Sequence, residues 1–199
     1  MSEGLKLAMR RREERIGRLG AELKEVLGAS KRITLEIGCG KGHYLSAYGC
    51  EFPDEVCVGI DLISSRIRDG HKKNEKKGNG NVFFIKAEAF EFLEALPEDV
   101  KINKLFIFFP DPWPKKRHHR RRLIQEPFLT LALQKCSPDA KLWFRTDHEG
   151  YFEWATDALK SHSGWKLQAS TELPFEEVSQ FQRILPVFST LCAAAAGQK

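Results

Sequence analysis

The chain has 199 residues, of which 42% are hydrophobic and 30% are charged, and its formal net charge is +5. This length and composition predict one domain over residues 1–199 with a substantial core. The five cysteines are odd in number and lack Cys-x-x-Cys spacing, which fits a reducing compartment and disfavours a zinc site, so no metal is expected. No secretory signal and no apolar stretch of bilayer-spanning length is visible, which predicts a soluble, cytoplasmic protein that binds no membrane.

A leading helix is the first predicted element, within residues 1–30. Residues 4–27 have a helix-forming composition, and their apolar side chains are spaced to share one face. These side chains are Ile16, Leu19, Leu23, Val26 and Leu27. The arginines between residues 10 and 15 fit a solvated helix face better than an RNA-binding surface.

Five strand-like apolar runs follow, and segments long enough for helices separate them. The runs cover residues 33–37, 56–60, 82–85, 105–109 and 141–145. Such alternation predicts an α/β fold with a mainly parallel central sheet and helices on both faces. We expect this core over residues 31–191, with a closing strand within 181–191 and a frayed tail at 192–199.

The first predicted strand ends in a glycine-rich turn at residues 36–42 that opens into a helix. Gly38 and Gly40 allow the backbone to bend tightly and to approach a ligand closely. Asp61 closes the second strand roughly 20 residues later, where a ribose-binding carboxylate is expected. Glu36 directly precedes the glycines, and its charge would repel a pyrophosphate but attract a sulfonium and an ammonium group. S-adenosylmethionine is therefore favoured over NAD as the cofactor.

Acidic residues stand at or just past the ends of five successive predicted strands. They are Glu36, Asp61, Glu88, Asp111 and Asp147. Capping of the following helices could explain any one of them, most readily Asp61 and Asp147, but explains all five together poorly. Because open α/β sheets bind ligands at the carboxyl ends of their strands, we expect these acids to surround one site. Glu36 and Asp61 would face the methionine and ribose ends of the cofactor.

The fourth strand runs directly into a proline-rich segment and then into a block of positive charge. Pro110, Pro112 and Pro114 are expected to hold the backbone extended, so that Asp111 and Trp113 are presented together. The basic residues that follow are Lys115, Lys116, Arg117, Arg120, Arg121 and Arg122. Such a block suits the phosphates of a polyanion, and a solvated helix face is the simpler alternative.

Taken together, these motifs resemble those of the tRNA (guanine-N7-)-methyltransferase family, bacterial enzymes that methylate a guanine in the tRNA variable loop. The resemblance is carried by residues 36–42, 59–61, 110–118 and 145–147. Its most specific part is the string Pro-Asp-Pro-Trp-Pro-Lys-Lys-Arg-His. The resemblance implies the Rossmann-like class I methyltransferase fold, S-adenosylmethionine as cofactor and tRNA as partner. The sequence does not distinguish a monomer from a homodimer.

Residue by residue, the resemblance implies three groups of contacts. The cofactor would be bound by Glu36, Gly38, Gly40, Asp61, Glu88 and Asp111, with Asp111 as the active-site acid. The substrate would be bound by Lys115 and Asp147, and tRNA by Arg117, Arg120, Arg121 and Arg122. Thr171 and Glu176 lie where the family usually has a Thr-x-Phe/Tyr-Glu element that contacts guanine, although the spacing here differs. Glu88 stands where the family more often has Asp or Asn.

The implied chemistry suits these side chains. Guanine N7 already has a lone pair, so attack on the sulfonium methyl needs alignment more than deprotonation. Asp111 would hold base and cofactor in line, while Trp113 would shape the pocket or stack on a nucleobase. Asp147 could accept hydrogen bonds from the guanine ring N–H and amino group.

Three alternatives stay open at the level of sequence. The Asp-Pro-Trp motif at residues 111–113 is similar to the loop of amino-group methyltransferases, whose target would be adenine, cytosine or a protein amide. A nicotinamide-dependent oxidoreductase would differ in the cofactor that protects it against thermal unfolding. A non-catalytic RNA-binding module would bind tRNA without saturable cofactor binding.

Overall fold

The computed structural model describes residues 2–177 and 187–196. Its helices are α1 (Glu3–Leu27), α2 (His43–Glu51), α3 (Ser64–Lys77), α4 (Ala89–Ala95), α5 (Glu126–Lys135) and α6 (Glu149–Ser161), with a 3₁₀ helix at Lys116–Arg121. Its strands are β1 (Arg32–Ile37), β2 (Cys57–Asp61), β3 (Val82–Lys86), β4 (Lys101–Phe108), β5 (Cys136–Thr146), β6 (Trp165–Leu167) and β7 (Ser189–Ala195). No helix in these described ranges is both long and apolar enough to cross a membrane.

The strands form one seven-stranded sheet in the order β3-β2-β1-β4-β5-β7-β6. Strands β1 to β5 are parallel, and β7 is antiparallel to both β5 and β6. The strand order reverses between β1 and β4, which is the point at which open α/β sheets bind ligands. The predicted α/β fold with a mainly parallel sheet is confirmed.

The sheet is covered on both faces, as the strand spacing predicts. Alternate residues of β4 belong to different buried clusters, since Phe106 packs with α2 and α3 while Leu105 and Ile107 pack with α1, α4, α5 and α6. The leading helix α1 contributes Leu19, Leu23 and Leu27 to the cluster that contains Leu105 and Ile107. The predicted apolar face of this helix is therefore confirmed at its carboxyl-terminal half.

Strand β7 corrects one prediction from the sequence. A frayed tail was expected at 192–199, but residues 192–195 pair with β5, and Cys192 and Ala193 are buried. The small side chains of this segment allow it to pack between β5 and the short strand β6, so its backbone hydrogen bonds are satisfied by the sheet. Residues 181–186 of the predicted closing strand and residues 197–199 of the tail lie outside the described residues.

Candidate active site

A cavity of about 360 Å³ opens at the carboxyl edge of the sheet, beside the reversal point. It is bounded by the ends of β1, β2 and β4 and by the segments that follow β2, β3 and β4. Its lining includes Gly38, Asp61, Glu88, Asp111, Trp113 and Arg121. Three of the five predicted strand-end acids therefore meet at one cavity, as the parallel topology requires.

Asp61 anchors the glycine-rich turn to this cavity. Its Oδ2 accepts a hydrogen bond from the Gly40 N–H at 3.1 Å, and its Oδ1 accepts one from the Ile63 N–H at 2.8 Å. Arg66, which also lines the cavity, lies 3.4 Å from the same carboxylate. Gly42 is required where the turn enters α2, because its φ is 64° and a Cβ there would lie 2.4 Å from the Phe84 ring.

Glu36 lies on β1 below the turn and is only 4% exposed. Burial raises its pKa to about 8; the Leu45 amide opposes this shift, and the charge of Asp61 adds to it. Its Oε2 has no hydrogen-bond partner among the described residues. A buried, unpaired carboxyl oxygen is costly unless a donor satisfies it, so the site is suited to a cationic group.

Glu88 both lines the cavity and caps α4. Its Oε2 accepts hydrogen bonds from the N–H groups of Phe90 at 2.9 Å and Glu91 at 3.1 Å. The capping explanation thus holds for Glu88, whereas for Asp147 it is wrong. Helix α6 is capped by His148, whose Nδ1 accepts from the Tyr151 N–H at 3.2 Å.

The segment carrying Asp111 is held in an unusual backbone conformation. Phe109 has a φ of 50° and Trp113 a φ of 44°, so the expectation of a simply extended backbone is wrong at both positions. A non-glycine residue with a positive φ of this kind carries about 1–3 kcal/mol of conformational strain, and it persists only where surrounding contacts fix the backbone. One such contact is the hydrogen bond of 2.7 Å from the Phe109 N–H to the Arg145 carbonyl oxygen. Asp111 itself is exposed at the cavity mouth.

Arg121 and Trp113 form one wall of the cavity. The Arg121 guanidinium carbon lies 4.8 Å from the centroid of the Trp113 ring, within the range of a cation–π contact. The His118 ring packs edge-on against the same indole, with centroids 5.8 Å apart. Trp113 therefore has a contact with each of these two side chains at the cavity wall.

Arg122 corrects a second prediction. A contact with tRNA was expected, but Arg122 is only 2% exposed. Its Nε donates to the Pro112 carbonyl oxygen at 2.9 Å and its Nη1 to the Gly150 carbonyl oxygen at 3.0 Å. The predicted tRNA contact at Arg122 is wrong, because its guanidinium is enclosed by the protein.

The other basic residues of this segment face solvent. Lys115, Arg117 and Arg120 are exposed and lie in the chain between the cavity-lining residues Trp113 and Arg121; no salt bridge to an acidic residue in the described ranges involves them. Asp147 is also exposed and follows β5, but it does not line the cavity. No group of three or more His, Cys, Asp or Glu side chains in the part of the chain that the structure describes is arranged to hold a metal ion.

Comparison with known proteins identifies the family. A family model described as "Putative methyltransferase" matches residues 30–188. The tRNA (guanine-N(7)-)-methyltransferase of Pseudomonas putida is 30% identical over 164 residues, which cover 80% of this chain and 68% of that protein. The chain belongs to the tRNA (guanine-N7-)-methyltransferase family. The resemblance drawn from the sequence motifs is thereby confirmed.

Other members of this family are similar over a smaller share of their length. The protein of the same name from Streptomyces avermitilis is 37% identical over 71% of this chain, and that from Idiomarina loihiensis is 36% identical over 72%. These matches cover 49% and 58% of the two relatives. The chain therefore spans about half the length of these relatives.

Solved methyltransferase structures share the fold. The 16S rRNA (adenine(1408)-N(1))-methyltransferase of Catenulisporales acidiphilia, solved with cosubstrate SAM, has a TM-score of 0.61 at 16% identity and covers 90% of this chain and 92% of that one. The 16S rRNA methyltransferase KamB also has a TM-score of 0.61, at 18% identity, and covers 88% of this chain and 93% of that one. The Rossmann-like methyltransferase fold is confirmed.

The carboxyl-terminal segment departs from the family pattern. If Phe175 and Glu176 are aligned with the end of Thr-x-Phe/Tyr-Glu, Leu173 stands in place of the threonine, and it is buried. Thr171 is exposed and, like Glu176, does not line the cavity. The Glu176 carboxylate forms an ion pair of 3.1 Å with the buried Arg145 of β5. The structure therefore brings neither predicted contact into the cavity.

Some residues of the site were not predicted from the sequence. Arg66, Ile63 and Phe108 line the cavity, and Arg145 joins β5 to Glu176. Arg66 follows Asp61 by five residues, so its position near the start of α3 could have been used as a signal. Ile63 and Phe108 lie in apolar segments that carry no distinguishing pattern, whereas Arg145 belongs to the motif at residues 145–147, in which no role was predicted for it.

Proposed function

We propose that this protein transfers a methyl group from S-adenosylmethionine to N7 of a guanine in the tRNA variable loop, in the cytoplasm. The main support is the meeting of Asp61, Glu88 and Asp111 at one cavity, together with the exposed basic residues that lie in the chain between its lining residues Trp113 and Arg121. This arrangement combines a cofactor site with a surface for a polyanion. Membership of the tRNA (guanine-N7-)-methyltransferase family supports the same reaction.

The residues in and next to the cavity fit S-adenosylmethionine. Glu36 does not line the cavity, but it directly precedes the lining residues Ile37 and Gly38, and its buried carboxyl oxygen without a donor suits the cationic end of the cofactor. Asp61 and Glu88 each accept two backbone hydrogen bonds and also line the cavity. These bonds orient the two carboxylates, which can accept further hydrogen bonds from the cofactor. When bound, the cofactor supplies an electrophilic methyl group on a sulfonium centre.

Asp111 and Trp113 orient the guanine. Asp111 is exposed at the cavity mouth, where its carboxylate holds the base in line with the transferable methyl group. Trp113 presents an aromatic wall that is fixed by Arg121 and His118, which suits stacking against a base. Asp147, which follows β5 and is free of a capping role, accepts hydrogen bonds from the guanine edge.

The exposed cations beside the cavity hold the tRNA backbone. Lys115 meets a phosphate as a point charge, whereas Arg117 and Arg120 form forked hydrogen bonds. Since no carboxylate of the described residues neutralises them, their charge is available to the RNA. Such contacts carry no base specificity, so recognition of the guanine falls to the cavity.

The direct test is to incubate the purified protein with methyl-labelled S-adenosylmethionine and unmodified tRNA transcripts. Reduction and aniline treatment cleave RNA at N7-methylguanosine, so the cleavage site maps the product. Cleavage at a single variable-loop guanine is the expected result. Label in adenine or cytosine without cleavage would instead favour an amino-group methyltransferase, and tRNA binding without any label would favour a non-catalytic RNA-binding protein.

A further inference from the structure

Arg122 differs from the basic residues that precede it. Arg120 and Arg121 are exposed at the surface, whereas the Arg122 guanidinium lies inside the protein. It packs on the rings of Tyr151 and Trp154 of α6, with its central carbon 5.0 and 5.2 Å from their centroids. An arginine in this environment cannot reach an RNA phosphate without leaving its site.

Both hydrogen bonds of Arg122 are accepted by backbone carbonyl oxygens close in sequence to residues of the proposed site. Pro112, which accepts from Nε, lies between Asp111 and Trp113. Gly150, which accepts from Nη1, lies in the first turn of α6, three residues after Asp147. One guanidinium therefore joins the segment that carries the active-site acid to the segment that carries the proposed guanine contact.

The chemistry of the pocket favours an arginine specifically. No carboxylate in the described ranges pairs with Arg122, and burial lowers its pKa below the usual arginine value. Two aromatic faces and two carbonyl oxygens compensate for the lost hydration of the charge. A lysine ammonium has no planar fork, so it is poorly matched to two carbonyls that Arg122 reaches from different nitrogens.

Backbone strain explains why such a clamp is needed. Trp113 has a positive φ immediately after Pro112, and such a conformation relaxes unless contacts oppose it. The hydrogen bond to the Pro112 carbonyl oxygen is one of those contacts. Its loss would let Asp111 move relative to the rest of the cavity.

We propose that Arg122 is a positioning residue for the methyl-transfer reaction, which holds the Asp111 segment in register with the start of α6 and makes no contact with tRNA. This inference rests on the proposed function. It predicts that the turnover number depends on Arg122 while the affinity for tRNA does not. A phosphate-binding arginine would give the opposite dependence.

Two variants test the inference, Arg122→Lys and Arg122→Gln, with Arg120→Gln as the matched surface control. In both Arg122 variants we expect the kcat for methyl transfer to fall roughly tenfold to hundredfold, with a smaller loss for lysine. The dissociation constant for tRNA should change by less than about twofold, and its salt dependence should be unchanged. Arg120→Gln should instead weaken tRNA binding and lower the salt slope by about 0.9.

Hydrogen exchange separates this inference from the proposed function. The amides of Phe109, Asp111, Trp113 and Lys115, and those of residues 147–152, should exchange faster in Arg122→Lys than in the wild type and should be unchanged in Arg120→Gln. This measurement remains decisive if the wild type fails to methylate tRNA, an outcome that would overturn only the proposed function. Unchanged exchange in both segments, or a reduced salt slope with an unchanged kcat, would overturn the positioning role. Global unfolding of both Arg122 variants would also overturn it, since Arg122 would then be a residue of general stability.

Discussion

The Asp61 carboxylate accepts a hydrogen bond from the Gly40 N–H at 3.1 Å, which joins the end of β2 to the glycine-rich turn after β1. The second carboxylate oxygen accepts from the Ile63 N–H at the start of α3. One buried side chain thus fixes the two turns that bound the proposed cofactor site.

The substitution Asp61→Ala should weaken binding of S-adenosylmethionine by at least about tenfold, because it removes both anchoring bonds and a carboxylate from the cavity. Isothermal titration would measure the change. Asp69→Ala is the matched control, since Asp69 pairs with the Lys41 side chain of the same turn but does not line the cavity. Equal losses in the two variants would contradict the assignment of Asp61.

The raised pKa of Glu36 predicts that the free energy of unfolding depends on pH. Its pKa is raised to about 8 in the folded protein, so the stabilisation by its bound proton is complete below about pH 4.5 and is lost as the pH rises through 8. Glu36→Gln cannot ionise. Its free energy of unfolding relative to the wild type should therefore increase steadily between pH 5 and 8, as measured by urea denaturation at about five pH values. A difference that is independent of pH would show that Glu36 does not hold a proton in this range.

Cofactor binding should also release the Glu36 proton. At pH 7 a carboxyl with a pKa of about 8 is mostly protonated, and a cationic ligand favours its ionised form. Calorimetric titration of S-adenosylmethionine in buffers of different ionisation enthalpy should detect proton release in the wild type. Glu36→Gln should release none and should bind the cofactor more weakly.

Much of the fold and part of the site could be predicted from the sequence, because their signals are local. The apolar runs that became β1 to β5 alternate with helical segments, and Asp61 follows the glycine-rich turn at a spacing that parallel pairing brings together. Strand β7 was partly missed, since its alanines carry little strand signal and its hydrogen-bond partners lie about fifty residues away in β5.

The sequence alone does not show which arginines of the basic segment face solvent and which are buried. Arg120, Arg121 and Arg122 are adjacent and identical in type, yet they are respectively exposed, stacked on Trp113 and buried. Which arginine is buried depends on Trp154 of α6, about thirty residues later in the chain. The positive φ at Trp113 likewise depends on tertiary hydrogen bonds that no local pattern encodes.

Removing the exposed arginines should weaken tRNA binding in a salt-dependent way. The double substitution Arg117→Ala with Arg120→Ala should lower the slope of log K against log salt by about 1 to 2, as measured by filter binding from low to moderate salt. Arg15→Ala is the matched control, because Arg15 is an exposed arginine of α1 that pairs with Glu91, outside the basic segment. An unchanged slope in the double variant would contradict the proposed RNA surface.

Asp111→Asn should lower the kcat for methyl transfer by about 10²–10³, because the amide cannot reproduce the negative charge beside the reacting base. Cofactor affinity should fall less, since Asp61 and Glu88 remain in the cavity. Single-turnover assays at saturating tRNA would measure the rate. Asp157→Asn, an exposed change on α6, controls for the loss of a surface carboxylate. Near-normal turnover of a folded Asp111→Asn variant would contradict the role of Asp111.

The central proposal is that the methyl acceptor is guanine N7. It is tested most directly by ligating a tRNA in which the single mapped guanosine is replaced by 7-deazaguanosine, which has a C–H group in place of N7. With labelled S-adenosylmethionine, we expect full methylation of the matched guanosine tRNA and none of the 7-deaza tRNA, although the two should bind the protein with similar affinity. Methylation of the 7-deaza tRNA at the same nucleotide would contradict transfer to N7.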